Sequence, residues 1–447
     1  MSGKRTKILN LIFGEKTFCL YLITCMIGVP LAEFIQEMFF RSYLSGERIV
    51  FSVFGVIGLF LCCGKMALHP TGKHWSDFFF FSLHLFMFIS LVYSCDIARI
   101  LRPGEQTNEY PIFFVGYYCM MFAGFQLSSV KLRRLVLYTF LGLAFSEGIL
   151  AVFQTYGKVV MPVMWGYTNT QAYGLTQNSN IFGGLSVLFV GASVGAFVFS
   201  KTRTSRIITG IISMIALYAS YNAMSRLTWV GDITILLTFV ISLLIMIKKD
   251  PKNAAQYKKN LAMLGIWVLF AAAVVVFSSF KNESFALRMN HIKSDMESIE
   301  TGNYNALGSD RGYIWSMCMQ SFPKHWVTGV GLDNLRWCYS ERREWFPGMY
   351  ASNQAHNEYI QVLCTQGVFA FINYFTLLII SVVKAVKRVL INDDEEDRRM
   401  TWNYLLMFAG FAVAMFFLFR AFNVEMYFFA VIGLMNPRVH NSAVKKI

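Results

Sequence analysis

Three residues in polar interruptions of this chain have the types and settings for chemistry on an anionic substrate: Arg226 in NAMSRLTW, Arg311 in SDRGYIWSM and His356 in QAHNEYIQVLCTQG. A guanidinium offers a planar fork of donors matched to phosphate oxygens and keeps its charge at any physiological pH. A histidine beside a helix N-terminus has its cationic form disfavoured by the helix dipole, so it is a neutral acceptor for a proton. Each residue also has a plainer reading. Arg226 sits between two apolar runs with almost no loop around it, where an arginine snorkels to a membrane interface. Arg311 has surface partners in Asp310 or Glu344, and His356 has Asn357 or a neighbouring loop.

The elements that must position them follow from composition. Of 447 residues, 55% are hydrophobic and only 15% charged, with 43 Phe, and the mean hydropathy is +0.47, far more apolar surface than a soluble globule can bury. The reading is an all-α polytopic membrane protein. A bilayer core needs roughly 20 apolar residues per helix. Twelve segments qualify: 17–36, 49–68, 76–95, 111–128, 134–154, 180–199, 206–223, 227–247, 261–280, 358–383, 402–419 and 421–435. The last two flank Arg420 and also read as one helix broken by a re-entrant turn. The MSGKRTK start leads into the first span without a small-residue cleavage site, so that span is expected to remain as an anchor.

Net charge is +14, and topology accounts for it without nucleic acid. With the N-terminus inside, 25 of the 40 Lys and Arg fall in cytoplasmic segments, seven in short outside loops and eight in one long outside loop. Both termini are therefore expected in the cytoplasm. The DDEED run at 393–397 reads as a solvated cytoplasmic hinge. Nine cysteines show no metal-ligand spacing; Cys318 and Cys338 share the long loop and would pair if it faces an oxidising compartment.

The expected organisation is nine helices over 1–280, an extracytoplasmic helical cap between helices 9 and 10 over 281–357, and helices 10–12 with a cytoplasmic tail over 358–447. In the cap, ALRMNHIKSDMESI carries a loose apolar stripe for a helix lying on the membrane surface. A second helix has Ser309 and Asp310 as caps and sets Arg311 and Trp315 four apart on one face. GVGLDN at 329–334 reads as a sharp turn, with Asp333 capping a third helix through LRWCYSERREWF. Ser352 and Asn353 are N-cap candidates for the tenth span. A second outside segment, about 155–179, is rich in Asn, Gln, Tyr and Trp, types that suit either sugar contact or any wet membrane edge. Glu147 and Asp232 fall inside spans and are candidates for structural or proton-linked roles, with Arg226 or Arg420 as partners; Asp232 is the expected one for Arg226. The outer side has no D-x-D, and the chain has no H-E-x-x-H or G-x-S-x-G, so neither metal nor cofactor is expected.

Taken in order, S-R (Ser225, Arg226), D-R-x-x-x-W (Asp310, Arg311, Trp315), G-V-G-x-x-N (Gly329 to Asn334) and H-N-E-Y-x-Q-x-L-x-x-x-G (His356 to Gly367) resemble the bacterial O-antigen ligase and O-antigen polymerase superfamily. GLTQNSN, with Asn178 and Asn180, is similar to a stretch these proteins carry before a membrane span. The resemblance covers roughly 174–370. It implies a GT-C-type fold in the bacterial cytoplasmic membrane and metal-independent transfer of a glycan from undecaprenyl diphosphate to an acceptor hydroxyl on the extracytoplasmic face. Arg226 and Arg311 would hold the diphosphate, and His356 would be the base or would position the acceptor. Asn357, Trp315, Asp310, Asn178 and Asn180 would support them. A ligase uses a glycolipid acceptor and a polymerase another lipid-linked repeat unit. A flippase for lipid-linked glycan is the rival from another class, and it would more naturally show two similar halves.

Overall fold

A lipid interior offers backbone groups no water, so apolar segments close their hydrogen bonds within themselves as helices. The computed structural model describes residues 9, 11–36, 46–68, 74–101, 109–158, 171–176, 178–281, 283–338, 354–418 and 420–438, and among these the regular structure is helical with no strand. Apart from a five-residue helix at Ile97–Leu101, the helices in chain order are α1 (Glu15–Ile35), α2 (Gly46–Leu68), α3 (Trp75–Val92), α4 (Pro111–Phe125), α5 (Val130–Thr155), α6 (Ser179–Phe199) and α7 (Arg203–Asn222). They continue with α8 (Arg226–Lys249), α9 (Ala254–Lys281), α10 (Glu283–Glu300), α11 (Leu307–His325), α12 (Glu358–Ile391), α13 (Glu395–Ala414) and α14 (Phe422–Met435). The protein is an all-helical polytopic membrane protein.

Each of the twelve apolar segments coincides with one of these helices. Among the described residues, 8 helices are long and apolar enough to cross a membrane; α4 and α14 are apolar but shorter, and α7 and α13 fall outside that set. The reason for the difference is position. The helices α4, α13 and α14 are buried on almost every side, and helices that face other helices need neither full length nor uniform apolarity. The segments around Arg420 are two helices, α13 and α14.

The DDEED run is exposed over 393–396 as expected, but it is no hinge. It starts α13: Asp394 caps the helix by accepting from the N–H groups of Glu396 and Asp397, and Glu395, Glu396 and Asp397 fill the first turn, where the dipole favours negative charge. Asp397 is buried between Arg133 and Arg388.

At the other end of the bundle, α10 and α11 form the connection between α9 and α12. Their segment docks by backbone contact. Inside α12 the helix breaks at Gly367 (φ 84°), and residues 326–331 cross the break. Val330 N–H donates to Cys364 O at 2.9 Å, Gly331 N–H to Thr365 O at 3.0 Å, and Val368 N–H to Trp326 O at 2.8 Å. A Cβ at Gly329 or Gly367 would run into the backbone of the opposing segment, so the two glycines permit the crossing. The GVG turn therefore does more than reverse the chain.

Several expected caps differ. α11 begins at Leu307, which places Ser309 and Asp310 inside its first turns. Asp333 adopts φ 53° and its N–H donates to Glu109 at 2.7 Å. Of the third cap helix only a turn at 335–338 is described; the remainder of LRWCYSERREWF, with Glu344, lies outside the described residues, as do Ser352 and Asn353. Cys318 and Cys338 are both free thiols, packed in one cluster with Cys364.

Candidate functional site

The site is assembled at the N-terminal ends of three helices. α6 starts because the Asn178 side chain accepts from the N–H groups of Asn180 and Ile181. The turn before it is held from α5. The Gln154 side chain accepts from Tyr173 N–H and Gly174 N–H and donates to Gly174 O, while Glu147 accepts from Leu175 N–H at 2.9 Å. Glu147, expected as a partner for an arginine, is thus a brace for the GLTQNSN stretch. Residues 159–170 and 177 of the Asn- and Tyr-rich segment lie outside the described residues.

Arg226 opens α8 two residues after Met224, whose φ of 51° is the left-handed region that side chains rarely adopt. Ser225 donates to Asn180 Oδ1 at 2.7 Å, tying α8 to α6. The expected partner of Arg226, Asp232, instead accepts from Ser220 at 2.7 Å. Six residues along a helix is about 600°, so Asp232 points to a different face of α8. Arg226 pairs with Asp295 of α10, whose other oxygen accepts from Gly308 N–H at 2.9 Å.

Arg311 lies on α11 and donates through Nη1 to Phe417 O, in the α13–α14 connection, at 2.9 Å. One turn on, Trp315 Nε1 donates to Ala355 O at 2.8 Å, so the Arg311 face of α11 also holds the peptide next to His356. Of Asp310, only the backbone is described.

His356 has φ 50°, a conformation costing roughly 1–3 kcal/mol that surroundings must enforce. They do so on both flanks. Ala355 N–H donates to Gln361 Oε1 at 2.8 Å, and Gln361 donates onward to Glu109 at 2.9 Å. Asn357 caps α12 by accepting from Tyr359 and Ile360 N–H, which makes it a structural cap. Glu358 N–H donates to Met415 O at 2.9 Å, and its carboxylate pairs with Arg420, which also reaches Glu109 at 3.1 Å.

Arg226, Arg311 and His356, together with Asn180, Ser225 and Arg288, line one cavity of about 240 Å³. Burial and the nearby charges of Arg226 and Arg288 push the Arg311 guanidinium down to about 10. Burial, then the Arg311 charge, pushes His356 down to about 4, so its imidazole is neutral at physiological pH. The arrangement offers converging guanidinium donors for an anion beside a neutral proton acceptor.

Arg288 and Asp295 were not anticipated. ALRMNHIKSDMESI read as an apolar stripe, yet these two residues are seven apart, about two turns, and so share a face of α10. That spacing was the available signal. Glu109, Gln361 and the Arg420 pairing carried none, because they meet across 62 to 311 residues of sequence.

Comparison with known proteins gives one family. Residues 188–375, a little under half of the chain, match the family model described as O-antigen ligase, a span holding Arg226, Arg288, Arg311 and His356. No curated protein matches the chain.

Proposed function

From the premise that residues 188–375 place this chain in the O-antigen ligase/polymerase family, we propose that it transfers a glycan from undecaprenyl diphosphate to an acceptor hydroxyl. The acceptor is a glycan or glycolipid, and the site faces the extracytoplasmic side of the bacterial cytoplasmic membrane. The family match supports ligase- or polymerase-like function. The excess of Lys and Arg in the alternate loops supports that sidedness. The helices over 1–280 and 358–447 are read as a GT-C-type membrane body, and 281–357 as its cap.

What carries the reading is the single cavity in which Arg226, Arg311 and His356 meet. The acceptor oxygen attacks the anomeric carbon as the bond from that carbon to the diphosphate oxygen breaks. His356, neutral, takes the hydroxyl proton. The departing diphosphate gains charge as that bond lengthens, so Arg226 and Arg311 bind the transition state more tightly than the ground state. One displacement inverts the anomeric centre. The polyprenyl chain remains in the bilayer throughout.

Purified protein given undecaprenyl-diphosphate glycan and acceptor should release undecaprenyl diphosphate. His356→Ala should reduce kcat by about 10²- to 10⁴-fold while the protein still folds. Arg226→Lys and Arg311→Lys should each lose about 10²-fold, since an ammonium cannot reproduce the fork. Full turnover by the His356 variant removes the base, and wild-type kinetics in both lysine variants leaves the arginines as interface anchors.

A further inference from the structure

The cavity holds more positive charge than its two proposed ligands account for. Arg288 lines it from α10, is partly buried, and makes no hydrogen bond or ion pair among the described residues. Burial, then the Arg226 charge, lowers its guanidinium from the usual value. Withdrawing a cation from water without a counter-charge is costly. Among the described residues, three guanidinium groups meet one carboxylate, Asp295, while His356 is neutral. The described side chains thus leave positive charge in excess, which suits the cavity to an anionic ligand.

Asp295 has the geometry of a stand-in for that ligand. One oxygen takes the Arg226 guanidinium and the other takes Gly308 N–H at 2.9 Å, and both Arg226 and Gly308 line the cavity. A cation and a backbone N–H converging on two oxygens of one anionic group is the donor set that phosphoryl oxygens use.

We propose that α10 completes the donor site: Arg288 is a third guanidinium ligand of the diphosphate, and Asp295 is an internal placeholder that releases Arg226 and Gly308 N–H when the diphosphate arrives. This deepens the proposed function and rests on it. Both residues sit on one face of α10, so the helix carries one attractive and one competing charge to the same place. The ligand this arrangement prefers is a diphosphate. A monophosphate carries less charge than undecaprenyl diphosphate and presents its oxygens on one phosphorus, so it engages the three forks less fully.

The test is equilibrium binding of undecaprenyl diphosphate, and separately undecaprenyl monophosphate, to the detergent-solubilised full-length protein. Arg288→Gln should weaken diphosphate binding roughly tenfold or more and change monophosphate binding much less. Arg288→Lys, which keeps the charge without the fork, should fall between. Asp295→Asn keeps an acceptor for Gly308 N–H but removes the competing charge, so it should bind diphosphate several-fold more tightly than the wild type. A role confined to folding would move both variants in the same direction and both lipids equally. Undiminished diphosphate binding by Arg288→Gln and Arg288→Lys, or weakened binding by Asp295→Asn, overturns the inference while leaving the transfer reaction standing. Failure of the wild type to bind diphosphate at all removes both.

Discussion

Two sets of arginines sit in this molecule under opposite electrostatic conditions. Arg133 and Arg420 are almost wholly enclosed, and each is met by carboxylates: Arg133 by Asp397, and Arg420 by Glu358 and Glu109. Arg226, Arg288 and Arg311 line a cavity where, among the described residues, one carboxylate, Asp295, meets them. Arginine chemistry is the same in both places. The difference is whether the fold supplies the counter-charge itself or leaves it to a ligand. Buried arginines with internal partners hold helices together, and the arginines of the cavity are the ones proposed to meet an anion.

The comparison is broken or upheld most strongly by removing an arginine from each set. Arg420→Met leaves Glu109 and Glu358 buried without their cation, and such an uncompensated charge costs about 3–5 kcal/mol. The detergent-solubilised variant should unfold at a clearly lower temperature or fail to accumulate. Arg288→Met removes a cation with no partner among the described residues, so its unfolding midpoint should match or exceed that of the wild type. Equal destabilisation by the two would mean that Arg288 is as structural as Arg420.

The sequence displays these sets unequally. Twelve hydrophobic periods are legible because each helix has to satisfy its own backbone in lipid, and that requirement is local. Arg226, Arg311 and His356 are legible because each interrupts an apolar or cap segment with a residue type that is expensive there. Pairing is different. Arg133 reads as a loop cation, yet its partner lies 264 residues away. Asp397 reads as part of a solvated acidic run for the same reason. Asp232 reads as the partner of Arg226 on proximity alone, although helix geometry turns it to another face and Asp295 takes its place. The pattern of spans follows from short-range periodicity, whereas assignment of charges to partners depends on which helices touch.

The pH dependence sharpens the same contrast at a smaller scale. Burial and Arg311 hold His356 at about 4, below its ordinary 6.5. Between those values the unfolded chain binds a proton that the folded chain does not, so stability rises with pH through this window. The contribution is fully present above about 6.5 and is lost as pH falls towards 4, with a magnitude of about 3 kcal/mol. His356→Gln should flatten that acid limb in pH-dependent unfolding. In kinetics, kcat/KM reports the free enzyme and should decline only as pH falls through about 4. A bound diphosphate offsets the Arg311 charge, so the acid limb of kcat should lie at higher pH than that of kcat/KM. Coincident limbs would mean that the anion does not bind beside His356.

The smallest effect separates positioning from stability. Trp315 Nε1 donates to Ala355 O at 2.8 Å, next to the left-handed His356, and at the other end of the bundle the Tyr404 hydroxyl donates to Arg133 O at 2.7 Å. Each is one side-chain hydrogen bond to a backbone carbonyl, worth about 1 kcal/mol. Replacing either ring by phenylalanine should therefore lower stability by similar amounts. The kinetic outcome should differ. Trp315→Phe releases the peptide that orients His356, so kcat should fall roughly fivefold with unchanged diphosphate binding, because a base a fraction of an ångström out of place still leaves the anion ligands intact. Tyr404→Phe should leave kcat and KM as they are, since Arg133 and Asp397 remain paired and lie away from the cavity. If the two variants lose activity in parallel, the hydrogen bond to Ala355 serves the fold alone, and the orientation of His356 comes from the Asn357 cap and the Glu358–Arg420 pair on its other flank.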